Sequence, residues 1–396
     1  MTSEEQAKYH PLTNPQKAIW YTENFHPGTS IAGISGTTLL EGAVDLSLLE
    51  RAVNLAIENN DSIRIRIRMA GNEPKQYVAP YAYKKIEIKD FRASGPGALH
   101  AWQQEMARTP LFAENADLYH FTLLQIDEKT CGFFMSLHHI ISDAWSLVML
   151  GNEVMRRYRA LEEGLSNHPR NPSYLDFIQE ENAYLASNRC ANDAAFWREQ
   201  FQTMPELVGI KARKTGRIGI EADRRSYGLP GALSEKIREY ALQSGRSVFA
   251  VLMGSFFQYV NRVTGSEEAV IGVPVIGRYN AKMRNTMGMF VSAVPFRFRV
   301  DSEQTYNRFV EQLSESWNGA MRRQRYHNGD ILRDARSRFG EVDRLYDIVF
   351  SYQNATFEQA DDSIRSEAHW HFNGRQNESL VVNVNERDDG RNLAVD

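Results

Sequence analysis

A short stretch in the first half of the chain combines residues that could carry out proton transfer. It runs from Leu137 to Ser146 with the sequence LHHIISDAWS, so two adjacent histidines precede an aspartate. Histidine has an ordinary pKa near 6.5, which suits acid/base catalysis at neutral pH. Successive side chains of a strand point to opposite faces, so only one of His138 and His139 can face a given cleft. The pattern therefore predicts one chemical imidazole and one structural imidazole.

Three interpretations of this stretch are open from the residues alone. A metal site could use His138, His139 and Asp143, but adjacent histidines on a strand diverge and the HExxH helix pattern is absent. Both histidines could instead pack in a core, with Asp143 as an ordinary helix cap. In the third interpretation, one histidine acts as an acid or base in catalysis.

The elements that must position these residues can be predicted from periodicity. Strands are expected over 119–126 and 131–137 as a hairpin, followed by a helix over 143–163. Further helices are expected over 15–24, 45–60, 98–108, 174–187, 191–203, 234–243, 247–263 and 304–324, and strands over 35–41, 62–68, 270–275, 291–299 and 346–352. Residues 165–173, LSNHPRNPS, have the composition of a linker. The pattern predicts a mixed α/β protein in two parts, residues 1–170 and 171–396.

Composition excludes several classes of function. Hydrophobic residues make up 42% of the 396 residues, and the net charge is −4, so no basic surface indicates nucleic acid. The two cysteines, Cys131 and Cys190, form no CxxC pair, which speaks against zinc and disulfides and favours a reducing compartment. The N-terminus is polar, and no apolar run approaches the ~18 residues that span a bilayer. We expect a monomeric cytoplasmic protein that binds no membrane.

The segment HHIISDAWS resembles the HHxxxDG motif of condensation domains in nonribosomal peptide synthetases, except that Ala144 stands where glycine is usual. Its HxxxD core also occurs in chloramphenicol acetyltransferase. Further matches follow in order along nearly the whole chain. They are LTNPQKAIWYTE, ENNDSIRIRI, NPSYLDFI with AAFWREQF, IGVPVIGRYNAKMRNTMGMFVSAVPFR, and LYDIVFSYQN. Two further departures concern subtype rather than fold. The segment ENNDSIRIRI lacks the RHE of the family's RHExLRTxF motif, and Arg325-Tyr326-His327 stands where HQDYPFE is common.

The resemblance implies an α/β fold of two chloramphenicol acetyltransferase-like subdomains in a V shape. Each would be a mixed sheet with helices, with an active-site tunnel between them. Residues 1–170 would carry HHIISDAWS. Residues 171–396 would form the second subdomain and lack the family's extreme C-terminal end.

The resemblance also implies a reaction, the attack of a carrier-bound aminoacyl amine on an acyl thioester. His139 matches the second histidine of the motif and would be catalytic as a general base or as a stabiliser of the zwitterionic intermediate. His138 and Asp143 complete the catalytic motif. Asp143 would also form a structural salt bridge with Arg278, the arginine of GxPVxGR.

Three neighbouring groups could stabilise the oxyanion or position substrate: the Ser142 hydroxyl and the amides near Ala144 and Trp145. No tightly bound cofactor is implied, because the substrates ride on phosphopantetheine arms of carrier domains or on CoA. The expected partners are donor and acceptor peptidyl carrier domains, or acyl-CoA as donor, and an adenylation domain.

The position of Met1, a dozen residues before the first motif, favours a starter domain that N-acylates the first amino acid from acyl-CoA. Three alternatives stay open. They are an internal elongation domain with a peptidyl carrier donor, a stand-alone CoA-dependent acyltransferase, and a catalytically silent recruiting domain.

Overall fold

Two units, each built on its own mixed sheet, account for the part of the chain that the structure describes. The structure is a computed structural model, and it describes residues 8–95, 97–165, 170–210, 219–353, 364–386 and 393–396. The first unit consists of the described residues up to Ala183, together with Arg278–Phe290 and residues 364–375. The second unit consists of the remaining described residues.

The strands and helices are numbered in chain order. The strands are β1 (His10–Pro11), β2 (Gly33–Glu41), β3 (Ile65–Ala70), β4 (Glu73–Val78), β5 (Glu87–Asp90), β6 (Tyr119–Gln125), β7 (Thr130–His138), β8 (Tyr227–Gly228), β9 (Glu268–Val275), β10 (Ser292–Arg299), β11 (Ile348–Gln353), β12 (Arg365–His371), β13 (Leu380–Glu386) and β14 (Leu393–Val395). The helices are α1 (Asn14–Phe25), α2 (Leu46–Asn59), α3 (Ala98–Ala107), α4 (Ala144–Glu162), α5 (Tyr174–Leu185), α6 (Asn188–Gln200), α7 (Gly231–Gln243), α8 (Val248–Thr264), α9 (Ala281–Arg284), α10 (Tyr306–Met321) and α11 (Asn328–Phe339).

The first unit contains a five-stranded sheet in the order β12-β2-β7-β6-β5. Only β5 and β6 pair in parallel, so the sheet is mixed. The predicted hairpin is confirmed, because β6 and β7 pair antiparallel with Tyr119 opposite Leu137. Helices α2 and α4 bury the apolar face of this sheet, with Leu49, Val53 and Leu147 in the core. A separate three-stranded sheet has the order β1-β4-β3.

The second unit contains a six-stranded sheet in the order β10-β9-β11-β13-β14-β8. Strand β11 runs parallel to both of its neighbours, and the remaining pairs are antiparallel, so this sheet is also mixed. Helices α8 and α10 contribute to its core, in which Phe257 and Phe296 lie edge to face at 5.7 Å. The expected fold class, a mixed sheet with helices in each of two units, is confirmed.

The two units do not divide at residue 170, where the sequence predicts the boundary. The first unit continues through most of α5, and part of the predicted linker, residues 166–169, lies outside the described residues. The reason is that Tyr174 is fully buried in the first core, where its hydroxyl bonds with the hydroxyl of Thr13 at 3.0 Å and the carbonyl of Met289 at 2.7 Å. A second difference concerns 62–68, where Asp61–Arg64 is a 3₁₀ turn and the strand begins only at Ile65.

No helix within the described ranges is long and apolar enough to cross a membrane.

Candidate active site

The two histidines lie where β7 ends and a tight turn leads into α4. The turn is closed by backbone bonds from Ile141 N–H to the His138 carbonyl at 3.0 Å and from Ser142 N–H to the His139 carbonyl at 3.3 Å. His139 N–H also donates to the carbonyl of Ala32 at 2.7 Å, which ties the turn to the segment before β2. Asp143 is the N-cap of α4, and its carboxylate accepts from Ser146 N–H at 2.8 Å.

His138 is a structural imidazole with both ring nitrogens occupied. It is 1% exposed, and its ring lies 5.3 Å from that of Phe112. Nδ1 accepts from Ile140 N–H at 3.1 Å, so this nitrogen carries no proton. Nε2 therefore carries the proton and donates to Oε2 of Glu23 at 3.3 Å. His138 is held as the neutral Nε2–H tautomer, which leaves it no nitrogen for substrate.

His139 has the opposite arrangement. It is partly buried, and its Nδ1 lies 3.1 Å from the carbonyl oxygen of Ser142. A carbonyl oxygen can only accept, so Nδ1 carries the proton and Nε2 presents a lone pair. No residue in the described part of the chain hydrogen-bonds to this Nε2. The neutral ring can therefore accept a proton or a hydrogen bond from an incoming amine.

The electrostatic surroundings keep His139 neutral. Burial, which strips water from the imidazolium, lowers the pKa of His139 below its ordinary value of 6.5. The Ser142 carbonyl and the Asp143 carboxylate oppose this shift but do not outweigh it. At pH 7 the ring is thus in the form that can act as a base.

Asp143 forms the ion pair with Arg278 that the resemblance implies. Arg278 Nη1 donates to Oδ2 at 2.7 Å and Nη2 to Oδ1 at 3.1 Å, and Phe290 N–H donates to Oδ2 at 3.0 Å. Burial alone would raise the pKa of Asp143, but Arg278 and the amides of Ser146 and Phe290 outweigh it and hold that pKa below its ordinary value. The carboxylate is thus engaged in holding structure.

The guanidinium of Arg278 also holds the neighbouring backbone. Its Nη2 donates to Ser146 Oγ at 2.8 Å, and its central carbon lies 4.2 Å from the ring centre of Phe290. Ser146 Oγ in turn donates to the Gly288 carbonyl at 2.8 Å and accepts from Gly288 N–H at 3.0 Å. The segment Arg278–Phe290 is therefore attached to the first turn of α4.

The remaining predicted site residues lie at the start of α4. The backbone amides of Ala144 and Trp145 donate to no acceptor among the described residues, whereas the Trp145 indole donates to the Arg284 carbonyl at 3.2 Å. The Ser142 hydroxyl is buried and, within the described ranges, has no hydrogen-bond partner. In this conformation Ser142 contributes its carbonyl to His139, and its hydroxyl is shielded from solvent.

Two residues that support the site were not singled out from the sequence. Gln16 is fully buried on α1 and donates to the Ile140 carbonyl at 3.0 Å, and Glu23 bonds to His138. The sequence pattern that involves Gln16 is the capping box that it forms with Thr13 at the start of α1. This pattern predicts where a helix begins, but it does not predict that polar side chains of the helix are buried. No group of three histidine, cysteine or acidic side chains that could hold a metal lies within the described residues.

Comparison with known proteins identifies the family. The model of the condensation domain family matches residues 6–394. Surfactin synthase subunit 1 from Bacillus subtilis (strain 168) is 32% identical over 401 residues, which is 98% of this chain and 11% of that protein. The dimodular nonribosomal peptide synthase of the same organism is 24% identical over 97% of this chain and 16% of that protein. The chain thus spans only a small part of these relatives.

Solved structures match the fold over nearly the whole chain. The first condensation domain of the calcium-dependent antibiotic synthetase, in complex with a substrate analogue, has a TM-score of 0.85 at 22% identity and covers 98% of this chain and 90% of that one. A starter condensation domain of rhizomide synthetase in complex with C8-CoA has a TM-score of 0.85 at 20% identity, covering 98% and 88%. On the family match and the identity to these synthetases, the chain belongs to the condensation domains of nonribosomal peptide synthetases, which form amide bonds by acyl transfer.

Proposed function

We propose that this domain joins a carrier-bound aminoacyl amine to an acyl thioester, with Nε2 of His139 directed at the reacting amine. The observation that carries this proposal is the difference between the two adjacent rings. His138 has both nitrogens bonded within the protein, whereas His139 keeps an unprotonated Nε2 without a partner in the described ranges. The intact motif, with both histidines and Asp143 present, favours this over a catalytically silent recruiting domain.

In the proposed step the neutral amine nitrogen attacks the thioester carbonyl carbon, the C–S bond breaks, and the amine proton finally protonates the leaving thiolate. His139 Nε2 accepts that proton, or hydrogen-bonds the ammonium of the zwitterionic intermediate. A positioned base contributes about 10²–10⁴-fold, so holding the two substrates together must supply much of the remaining rate. The amides of Ala144 and Trp145 are proposed donors to the oxyanion, and no acyl-enzyme is needed.

For the donor we propose acyl-CoA, which makes this a starter domain that N-acylates the first amino acid. Support comes from the structural similarity to a rhizomide starter domain that was solved with C8-CoA. An internal elongation domain with a peptidyl carrier donor is the second candidate, because the matched family is that of condensation domains without a subtype. The GxPVxGR segment and the late strand motif LYDIVFSYQN count against a stand-alone CoA-dependent acyltransferase.

The proposed substrates arrive on phosphopantetheine arms or on CoA, and the domain holds no cofactor tightly. The proposed partners are donor and acceptor carrier domains and a neighbouring adenylation domain. We further propose a monomer that works in the cytoplasm.

A competition between donors tests the proposal. Aminoacyl carrier domains are offered C8-CoA and a peptidyl carrier domain, and the acceptor is read by intact-mass spectrometry, with His139→Ala as control. Acylation from CoA that the variant loses supports a starter domain. Transfer only from the peptidyl carrier would replace the starter subtype by elongation. Equal product with wild type and His139→Ala would contradict the role of His139.

A further inference from the structure

We infer that Glu23 is a positioning residue that acts through His138 to hold the turn that presents His139. As a statement about catalysis this rests on the proposed function, but its structural part can be tested without any substrate. Glu23 lies near the end of α1, 5% exposed, with a carboxylate oxygen 3.3 Å from Nε2 of His138. Because both groups are buried, water competes little for this bond.

The tautomer of His138 is fixed by two independent contacts. Ile140 N–H is a donor, so Nδ1 of His138 must be unprotonated and Nε2 must carry the proton. The Glu23 carboxylate is the acceptor that this Nε2–H requires. Without an acceptor at Nε2, the ring keeps this tautomer, because the Nδ1–H form would also lose the bond from Ile140. Its Nε2–H is then buried and unsatisfied, and the contact that holds the orientation of the ring is lost.

The backbone on the C-terminal side of His139 is held at two points from α1. The N–H of Ile140 reaches Glu23 through His138, and the Ile140 carbonyl accepts from Nε2 of Gln16 at 3.0 Å. Gln16 and Glu23 are seven residues apart, so they lie on one face of the helix two turns from each other. Gln16 is itself fixed by reciprocal side-chain bonds with Gln76 at 2.8 and 2.7 Å.

This arrangement transmits a change at Glu23 to the orientation of the His139 ring. The peptide group whose N–H belongs to Ile140 is bonded directly to the Cα of His139, and its rotation moves the imidazole relative to the amine. A displacement near 1 Å can lower a rate about 100-fold, so we expect loss of the Glu23 acceptor to lower kcat/KM by about 10- to 100-fold.

The test compares Glu23→Leu, which has similar volume and no acceptor, with Glu23→Gln, which keeps an acceptor oxygen. Asn24→Ala, at an exposed position on the same helix, is the matched control. Ring ¹⁵N resonances report the tautomers of His138 and His139, and acylation from C8-CoA or the peptidyl carrier reports the rate. Should Glu23→Leu fail to fold, Glu23→Ala takes its place, with melting monitored by circular dichroism.

We expect the leucine variant to shift the ring resonances of His138, to shift those of His139 and to lose activity. The glutamine variant should restore all three readings to within a few-fold of wild type, like the Asn24 control. Unchanged His138 ring resonances in the leucine variant would overturn the inference, as would lost activity with unchanged His139 resonances. Because the resonances need no substrate, absence of turnover by the wild-type domain would count against the proposed function alone.

Discussion

Arg278 and Asp143 form a two-point ion pair across 135 residues of sequence, with both side chains fully buried. The carboxylate accepts two further bonds, from the amides of Ser146 and Phe290, so its oxygens are well satisfied. A buried charge is tolerated only with such partners, and the pair therefore fixes the segment Arg278–Phe290 at the start of the helix that follows His139.

We predict that Asp143→Ala and Arg278→Ala each lower the free energy of unfolding by about 3–5 kcal/mol, because each leaves its partner buried and uncompensated. The double variant should fall short of the sum, with a coupling energy of about 0.5–3 kcal/mol in chemical denaturation. The exposed pair Arg299–Glu267 is the control, for which a coupling of about 0–1 kcal/mol is expected. Additive losses at Asp143 and Arg278 would mean that the two side chains do not meet.

Replacements of the two histidines should differ in their effect on stability. His139→Ala removes a ring whose Nε2 has no partner in the described ranges, so the fold should persist while the rate falls about 10²–10⁴-fold. His138→Ala removes the acceptor of Ile140 and the donor to Glu23, so its first effect should be a lower midpoint of thermal unfolding. His138→Ala should lower the rate as well, because the turn that presents His139 loses its support, so melting curves distinguish the two variants. Wild-type activity in His139→Ala would refute the role of His139.

The titration of His139 should show the effect of its burial. Because its pKa is lowered, NMR titration of the ring should give a midpoint below the ordinary 6.5. Acid then removes the Nε2 lone pair, so the part of the loss in kcat/KM that is due to His139 should set in only below pH 6.5. Protonation of the acceptor amine, whose ordinary pKa is about 7.7–8.0, lowers the rate at higher pH and is measured separately with the His139→Ala variant. Below pH 6.5 the unfolded chain also binds the His139 proton more readily than the native one, and stability should decrease as the pH falls towards the native pKa. A midpoint at or above 6.5 would contradict this prediction.

The part of the site that the sequence reveals is the part carried by contiguous motifs. HHIISDAWS and GxPVxGR identify His139, Asp143 and Arg278 by resemblance, although periodicity alone cannot bring residues 135 positions apart together. The supporting roles of Glu23 and Gln16 could not be predicted, because polar side chains on a helix are ordinarily exposed. Their burial depends on the tertiary position of α1, which no local pattern encodes.

Elements with strong apolar periodicity were predicted within a few residues, as for α2 and α8. Strand β12, RSEAHWH, was missed because it lies at the edge of its sheet, where alternate residues are exposed and polar. Helix α11, NGDILRDARSRF, was missed because it buries only a few apolar residues, among them Ile331 and Ala335. Its charged surface obscures the periodicity on which the prediction depends.

The last prediction concerns Gly288, which lies in the segment that Arg278 attaches to α4. Its φ is 147°, and a Cβ at this position would lie 2.1 Å from a ring carbon of Tyr174, itself fully buried. Gly288→Ala therefore combines backbone strain with a clash, and we expect it to lower the free energy of unfolding by at least about 2 kcal/mol. It should also lower the rate, since Gly288 bonds to Ser146 beside the Asp143 pair.

The control is Gly319→Ala in α10, where the nearest atom would be 3.9 Å from the new Cβ and the helical backbone favours alanine by about 0.5–1 kcal/mol. Tyr174→Ala is itself costly, because the ring is fully buried, so the clash is measured by a double-mutant cycle. Gly288→Ala should cost less in the Tyr174→Ala background than in the wild type, because the clashing atoms are gone and only the φ strain remains. Chemical denaturation of these variants and the wild type measures both contributions. A Gly288→Ala variant with the wild-type midpoint would mean that the segment does not pack against Tyr174 as described.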